Sequence, residues 1–209
     1  MRSNSRPSHL RAVPAASEVV REEPLADEAI ISAVIRGDTS VAGALFDRCS
    51  GVIDATLYRV IGKRESDHED LVQQSFEQIV KTLANRRFAG ACSLKTWASS
   101  IASNVALNAL RSRRRERTLF DRSAVDADLA SGESPERNAA ARREIQILRE
   151  ELGQMNRTRA EALLLHDVLG HDLAEISAMT GTSVAAAQSR LVRGRKELQE
   201  RLRRRGCHG

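Results

Sequence analysis

The last fifty residues mark their own helix boundaries, and this constrains the fold more than any other feature of the chain. Thr158 with Glu161, and Asp172 with Glu175, each have the spacing of a capping box. In that pattern an N-cap side chain takes the N–H group three residues on, and a glutamate reaches back. Gly181 predicts a turn, and Ser183 predicts the cap of the next helix. That next helix runs through Ser189, Arg190, Arg193, Arg195 and Lys196. A short capped helix, a glycine turn and a basic helix together have the form of a helix-turn-helix, whose ordinary ligand is a nucleic-acid duplex.

Composition agrees with an all-helical chain. Only 3% of the 209 residues are aromatic, low for a protein built of strands. Good helix formers, led by Ala, Leu, Arg and Glu, dominate instead. The formal charge is only +5, so the placement of the basic residues matters more than their excess. Cys49, Cys92 and Cys207 are odd in number and far apart, which fits neither a disulfide framework nor a CxxC metal site. Free thiols in a reducing cytoplasm are the simpler expectation. No apolar run approaches the roughly 18 residues of a membrane span. The arginine- and proline-containing N-terminus lacks the apolar segment of a secretory signal.

Periodicity divides the chain. Residues 1–24 read as a disordered tail. Four helices are predicted over 25–117. The first carries Ala29, Ile30, Ala33 and Val34. The second carries Val41, Leu45, Cys49, Val52, Thr56 and Val60, flanked by Phe46, Ile53 and Leu57. The third buries Leu71, Val72, Phe76, Ile79, Val80 and Leu83. The fourth, capped by Ser93, buries Leu94, Trp97, Ile101 and Val105. Residues 118–137 are acidic and contain Gly132 and Pro135, the composition of a flexible linker. Helix resumes over 138–205, where Val184, Ala187 and Leu191 are predicted to pack on Leu173, Ile176 and Met179. The expected architecture is therefore all-α: an N-terminal four-helix bundle and a C-terminal helix-turn-helix domain.

Several surface features carry chemistry. The fourth helix ends in Arg111, Arg113, Arg114, Arg115 and Arg117. Cations favour a helix C-terminus, which accounts for one or two of them. Five repel one another, and a polyanion would relieve that repulsion. Asn104 and Asn108 lie one turn apart on the same helix and can read base edges, although an ordinary polar face has the same spacing. Phe88 opens a glycine loop that can present a ring to an unpaired base or anchor the loop in the core. Asp70, Gln73, Gln74 and Glu77 form a continuous polar strip, suited either to the helix dipole or to a basic partner protein. On the last helix Gln188, Ser189, Val192, Arg193 and Lys196 share the outer face with small Ala185 and Ala186. No nucleotide-binding glycine loop, paired-histidine metal motif or catalytic constellation stands out, so neither enzyme, cofactor nor metal is expected. His166 and His171 flank a helix end and read as surface residues.

Two segments together resemble the bacterial RNA polymerase sigma factors of the extracytoplasmic-function (ECF) group. The first runs from Glu69, Asp70, Leu71, Val72, Gln73, Gln74, Ser75 and Phe76 through Thr96, Trp97 and Asn104 to the arginine run. The second runs from Leu163, Leu164 and Leu165 through Ala174, Glu175 and Ile176 to Ser189, Arg190, Leu191 and Arg195. The resemblance implies that Asp70, Gln73 and Gln74 dock on the clamp helices of the largest subunit of core RNA polymerase. It implies that Phe88, Asn104, Asn108, Arg111 and Arg114 contact the −10 promoter element, and that Gln188, Ser189, Val192 and Arg193 face the −35 duplex. It also implies promoter DNA and an anti-sigma protein as partners, in the cytoplasm. Trp97 takes a core position. The chain departs from the family at Ala89, Ala91 and Gln188, and in having Leu152 and Gly153 where Leu-Pro is usual. The alternative is a stand-alone helix-turn-helix regulator with a sensing or dimerising N-terminal domain.

Overall fold

The computed structural model describes residues 25–120 and 135–206, with side chains over 25–116 and 139–206. The predicted tail, Cys207 and most of the predicted linker lie outside the described residues. Eight α-helices are seen among them: α1 Asp27–Ile35, α2 Ala42–Ile61, α3 His68–Ala84, α4 Leu94–Phe120, α5 Pro135–Gln154, α6 Arg157–Leu163, α7 Leu173–Thr180 and α8 Val184–Arg204. α4 therefore runs past residue 117 and α5 begins before 138, so the predicted 118–137 linker shrinks from both ends.

Local chemistry explains most of the boundaries. Asp38 caps a 3-10 turn at Thr39–Val41 by accepting from the Ser40 N–H at 2.9 Å. Gly62 ends α2 in the left-handed region at φ +90°. The Ser93 hydroxyl accepts from the Thr96 N–H at 3.0 Å, as expected of the α4 cap. α4 has a second cap that its own sequence does not announce. Asp27, from α1, accepts from the Leu94 N–H at 2.8 Å while also pairing with Arg48. An acid at a helix N-terminus is favoured by the dipole, and here it also fixes α1 to the bundle.

α1–α4 pack around Leu45, Cys49, Ile53, Leu57, Leu71, Ile79, Leu83, Leu94 and Ala102. Three predicted core positions are instead on the surface. Phe46 and Val80 are exposed, and Phe46 stacks on half-buried Phe76 with ring centroids 5.0 Å apart. Val184 on α8 is also exposed. In place of Val80 on α3, Ser75 is fully buried because its hydroxyl donates to the Leu71 carbonyl at 2.8 Å. Burial pushes the Cys49 thiol up to about 11, which makes this cysteine a small apolar core residue.

The two halves are packed together. Leu152, Met155, Ala160, Leu163, Leu164 and Leu191 belong to the same apolar core as α2–α4. α4 is thus covered on two sides, by α2 and α3 on one and by α5–α7 on the other. Its Ala98, Ser99, Ala102, Ser103 and Ala106 are all buried, and small side chains let the helices approach closely. Gly153 has the same effect on α5, where a Cβ would stand 3.4 Å from the Leu110 backbone.

Candidate nucleic-acid interface

The helix-turn-helix forms as expected except at its first boundary. Asp172 accepts from the Glu175 N–H at 2.8 Å, and Glu175 accepts from the Asp172 N–H at 3.0 Å, a complete capping box for α7. Gly181 closes α7 at φ +64°, and Ser183 caps α8 by accepting from the Ala186 N–H at 3.2 Å. The predicted Thr158 cap is incorrect. Asn156 is the N-cap of α6, accepting from the Thr158 N–H at 3.2 Å, and Thr158 lies inside the helix. Both residues can cap, and an Asn two residues earlier competes directly with Thr158. Between α6 and α7 the chain widens into one turn of π-helix at Leu164–Val168.

α8 turns Ala187, Leu191 and Gly194 inward and leaves Gln188, Val192, Arg193 and Lys196 exposed, with Ser189 half-buried. Arg195 does not join them freely: Asp167 holds it through two hydrogen bonds, one of them 3.0 Å from Nε. That contact keeps the Asp167 carboxyl below its usual range. Gln188, Arg193 and Lys196 make no hydrogen bond or ion pair among the described residues, so their polar groups are available to a ligand.

The strip on α3 is equally open. Asp70, Gln73, Gln74 and Glu77 are exposed, and the Gln73 amide donates to Glu77 at 3.0 Å. The strip therefore projects an ordered row of carboxylate and amide groups from a rigid helix.

The end of α4 differs from the sequence expectation. Arg113 is nearly buried and pairs with Glu65 at 2.6 Å and Asp67 at 2.7 Å, in the α2–α3 loop. It is a structural arginine. Arg111 is half-buried and donates to the carbonyls of Gly153 at 3.0 Å and Met155 at 3.2 Å, at the C-terminus of α5. Desolvation lowers its pKa from the usual arginine value. Arg115 and Asn108 stay exposed, and with Arg111, Arg114, Gly153 and Gln154 they line an open basic cleft between α4 and α5. Asn104 donates to the Ser100 carbonyl at 3.1 Å and to the Glu161 carboxylate on α6 at 2.6 Å, and it accepts from Arg157 at 3.2 Å. Phe88 is half-buried, its ring 4.8 Å from that of Trp97. Trp97 is buried, as a core position requires.

Two partners were not legible in the sequence. Glu161 reads as half of a capping box, yet it faces Asn104 across the helix pair. His171 reads as a surface residue, yet its Nε2 lies 3.0 Å from the buried Ser99 hydroxyl of α4. Ser99 donates to the Thr96 carbonyl at 2.6 Å, so toward His171 it is the acceptor. Only the fold brings residues 99 and 171 together.

Residues 45–116 match the family described as Sigma-70 region 2, and residues 145–198 match Sigma-70 region 4. The RNA polymerase sigma factor NccH of Alcaligenes xylosoxydans xylosoxydans is 30% identical over 178 residues, covering 84% of this chain and 94% of that protein. The sigma factor CnrH of Cupriavidus metallidurans is 29% identical over 183 residues, covering 85% and 94% respectively. A solved structure of CnrH in complex with the cytosolic domain of CnrY aligns over 84% of this chain and 96% of its own, with 25% identity and a TM-score of 0.47. The chain belongs to the RNA polymerase sigma factors, in the ECF group. Its function is therefore to bind core RNA polymerase and direct promoter-specific initiation of transcription. Among the described residues no helix is long and apolar enough to cross a membrane.

Proposed function

We propose that this chain acts in the cytoplasm as a dissociable, non-catalytic specificity subunit whose three contact faces are the α3 strip, the end of α4 and the outer face of α8. The α3 strip, with Asp70, Gln73 and Gln74, docks on the clamp helices of the polymerase. Asn104, Asn108, Arg111 and Arg114 take the −10 element, with Phe88 shaping the loop that receives an unpaired base. Gln188, Ser189, Val192 and Arg193 take the −35 duplex. Residues 121–134 connect the two DNA-binding halves.

The observation that carries this reading is the pairing of two matched regions, in family order, with exposed polar faces on α3 and α8. Each DNA face is small, and polymerase joins two weak contacts into one bivalent contact by fixing their separation. Melting then follows from capture of unstacked bases and needs no bond chemistry in this subunit. An anti-sigma protein is the expected inhibitor, since CnrH, a relative over most of the chain, is solved with CnrY.

Run-off transcription with purified core polymerase tests the proposal. Addition of the chain is expected to give promoter-dependent transcripts. Asp70→Ala with Gln73→Ala is expected to weaken core binding without changing the melting temperature, because both side chains are exposed. Absence of core binding by the unaltered chain refutes the assignment.

A further inference from the structure

α1, α2, α7 and α8 are each followed within two residues by a glycine in the left-handed region: Gly37, Gly62, Gly181 and Gly206. After α3 an arginine takes that place. Arg86 has φ +55° and is the one non-glycine residue with positive φ among the described residues. Its N–H donates to the Leu83 carbonyl at 2.8 Å, and the N–H of Arg87 donates to the Thr82 carbonyl at 3.0 Å. The two bonds make a Schellman motif, in which glycine is the ordinary occupant of position 86. A Cβ in that conformation crowds the backbone, so arginine is disfavoured there. Strain of this kind is kept where it serves a site. We propose that Arg86 and Arg87 bind backbone phosphates of the melted −10 strand, beside the unpaired base that the Phe88 loop receives. The proposal rests on the reading of that loop given above.

The fold itself uses neither side chain. Both arginines are exposed, and neither makes a side-chain hydrogen bond or ion pair among the described residues. Cations are favoured near a helix C-terminus. The last carbonyls of α3 are nevertheless already satisfied. Lys81 accepts from the Asn85 N–H at 3.2 Å and from the Asn85 side-chain amide at 2.7 Å, while Thr82 and Leu83 accept from the two backbone N–H groups of the motif. Acids from other elements that lie against the loop are engaged elsewhere. Asp27 takes the Leu94 N–H and Arg48. Glu175, close enough to raise the Cys92 thiol, takes the Asp172 N–H and faces His171. The strain at Arg86 therefore has no structural return among the described residues.

Charge points to the class of ligand. Residues 78–115 hold eight Lys or Arg and no Asp or Glu. Four of the eight are exposed at this loop: Lys81 on the last turn of α3, Arg86, Arg87, and Lys95 on the first turn of α4. Adjacent guanidinium groups repel one another, and a run of phosphates relieves that repulsion while releasing counterions. The planar guanidinium also matches phosphate oxygens with paired N–H donors. The arginines are not on a free tail. Hydrogen bonds to the end of α3 fix their backbone on one side, and Phe88, its ring 4.8 Å from that of Trp97, anchors the chain on the other. A base taken up by the loop brings its flanking phosphates with it, whichever base it is. Contacts to those phosphates position the strand and carry no sequence preference.

Arg86→Gly removes the strain and the charge together, and the two effects are read separately. The melting temperature of the full-length chain is expected to rise by about 2–4 °C. Fluorescence anisotropy reports affinity of the holoenzyme for a single-stranded, non-template −10 oligonucleotide from a promoter that the chain initiates with core polymerase. That affinity is expected to fall about fivefold at about 0.1 M salt, with a loss of about 0.7 in the slope of log K against log salt, the single-strand value for one phosphate. Arg87→Gln is expected to give the same loss with no change in melting temperature. Arg86→Lys keeps the charge and the left-handed backbone, and is expected to keep both the slope and the melting temperature. If neither Arg86→Gly nor Arg87→Gln changes the slope, the phosphate contact does not exist. If these variants weaken core binding instead, the arginines face the polymerase and the proposal is equally overturned. An unchanged or lowered melting temperature in Arg86→Gly removes the strain that singles this residue out and overturns its assignment. Phe88→Ala separates the underlying reading: strand affinity that survives it refutes base capture by the loop, while the arginine slopes still decide the phosphate contact.

Discussion

Gly194 on α8 sets two physical effects against each other, and Gly194→Ala decides between them. The residue is buried where α8 crosses α6. A Cβ built there stands 2.9 Å from the carbonyl oxygen of Arg159, 3.4 Å from its carbonyl carbon and 3.5 Å from its Cβ. The first distance is shorter than real Cβ contacts tolerate, and the obstructing atom is helical backbone, which cannot rotate aside. α6 and α8 must separate by a few tenths of an ångström, loosening Ala160, Leu163 and Leu191 and the 2.9 Å Arg159–Glu197 ion pair. Overpacking of this kind costs about 1–3 kcal/mol. Alanine's better helix propensity returns up to about 1 kcal/mol. The expected net loss is about 1–2 kcal/mol, a fall in melting temperature of roughly 2–8 °C for a chain of this size. Calorimetry of the purified protein measures it. Because the same shift tilts the recognition helix, −35 duplex affinity is expected to fall as well. An unchanged or raised melting temperature would refute the packing argument, since the propensity gain would then have won.

The two kinds of arginine on α4 separate by salt dependence. Arg113→Ala removes the ion pairs to Glu65 and Asp67 and is expected to lower the melting temperature with little change in the salt slope of promoter binding. Arg115→Ala is expected to leave stability alone and reduce the slope of log K against log salt by about 1 in the holoenzyme. Asp172→Ala removes a full capping box and is expected to cost about 0.5–2 kcal/mol, read by denaturant unfolding. Glu161 gives a pH effect whose sign is fixed. Its carboxyl has a pKa raised by desolvation in the fold, so the folded chain binds the proton more tightly than the unfolded chain does. This carboxyl should therefore add stability to the fold as pH falls from neutral toward the ordinary glutamate value of 4.5, and that contribution is lost as pH rises through the raised value. The difference in the pH dependence of denaturant unfolding between the natural chain and Glu161→Gln isolates this carboxyl from the others. Gln188→Arg is expected to change a base preference in the −35 element from adenine toward guanine, because glutamine pairs with adenine N6 and N7 and arginine with guanine O6 and N7. Selection of promoter variants by the holoenzyme reads this directly.

Local chemistry alone placed the helices, the α7 capping box, the Gly181 turn, the Ser183 cap and the exposed faces of α3 and α8. These depend on residues within a few positions of one another, and the 3.6-residue period reports which side of a helix is apolar. The two promoter-binding halves were legible for the same reason, as runs of neighbouring residues in family order. Tertiary structure decided everything that depends on two distant segments meeting. Thr158 and Asn156 were both able to cap α6, and only the folded backbone chose Asn156. Phe46 and Val80 obey the apolar period, but among the described residues no further element covers them, so they are exposed there. Arg113 is indistinguishable in sequence from Arg115, yet one is locked between Glu65 and Asp67 and the other faces solvent. Asn104 and Glu161 are 57 positions apart, and their 2.6 Å hydrogen bond exists only because α6 packs across α4. The sequence specifies what each face can bind. The packing of one half on the other determines which face is open.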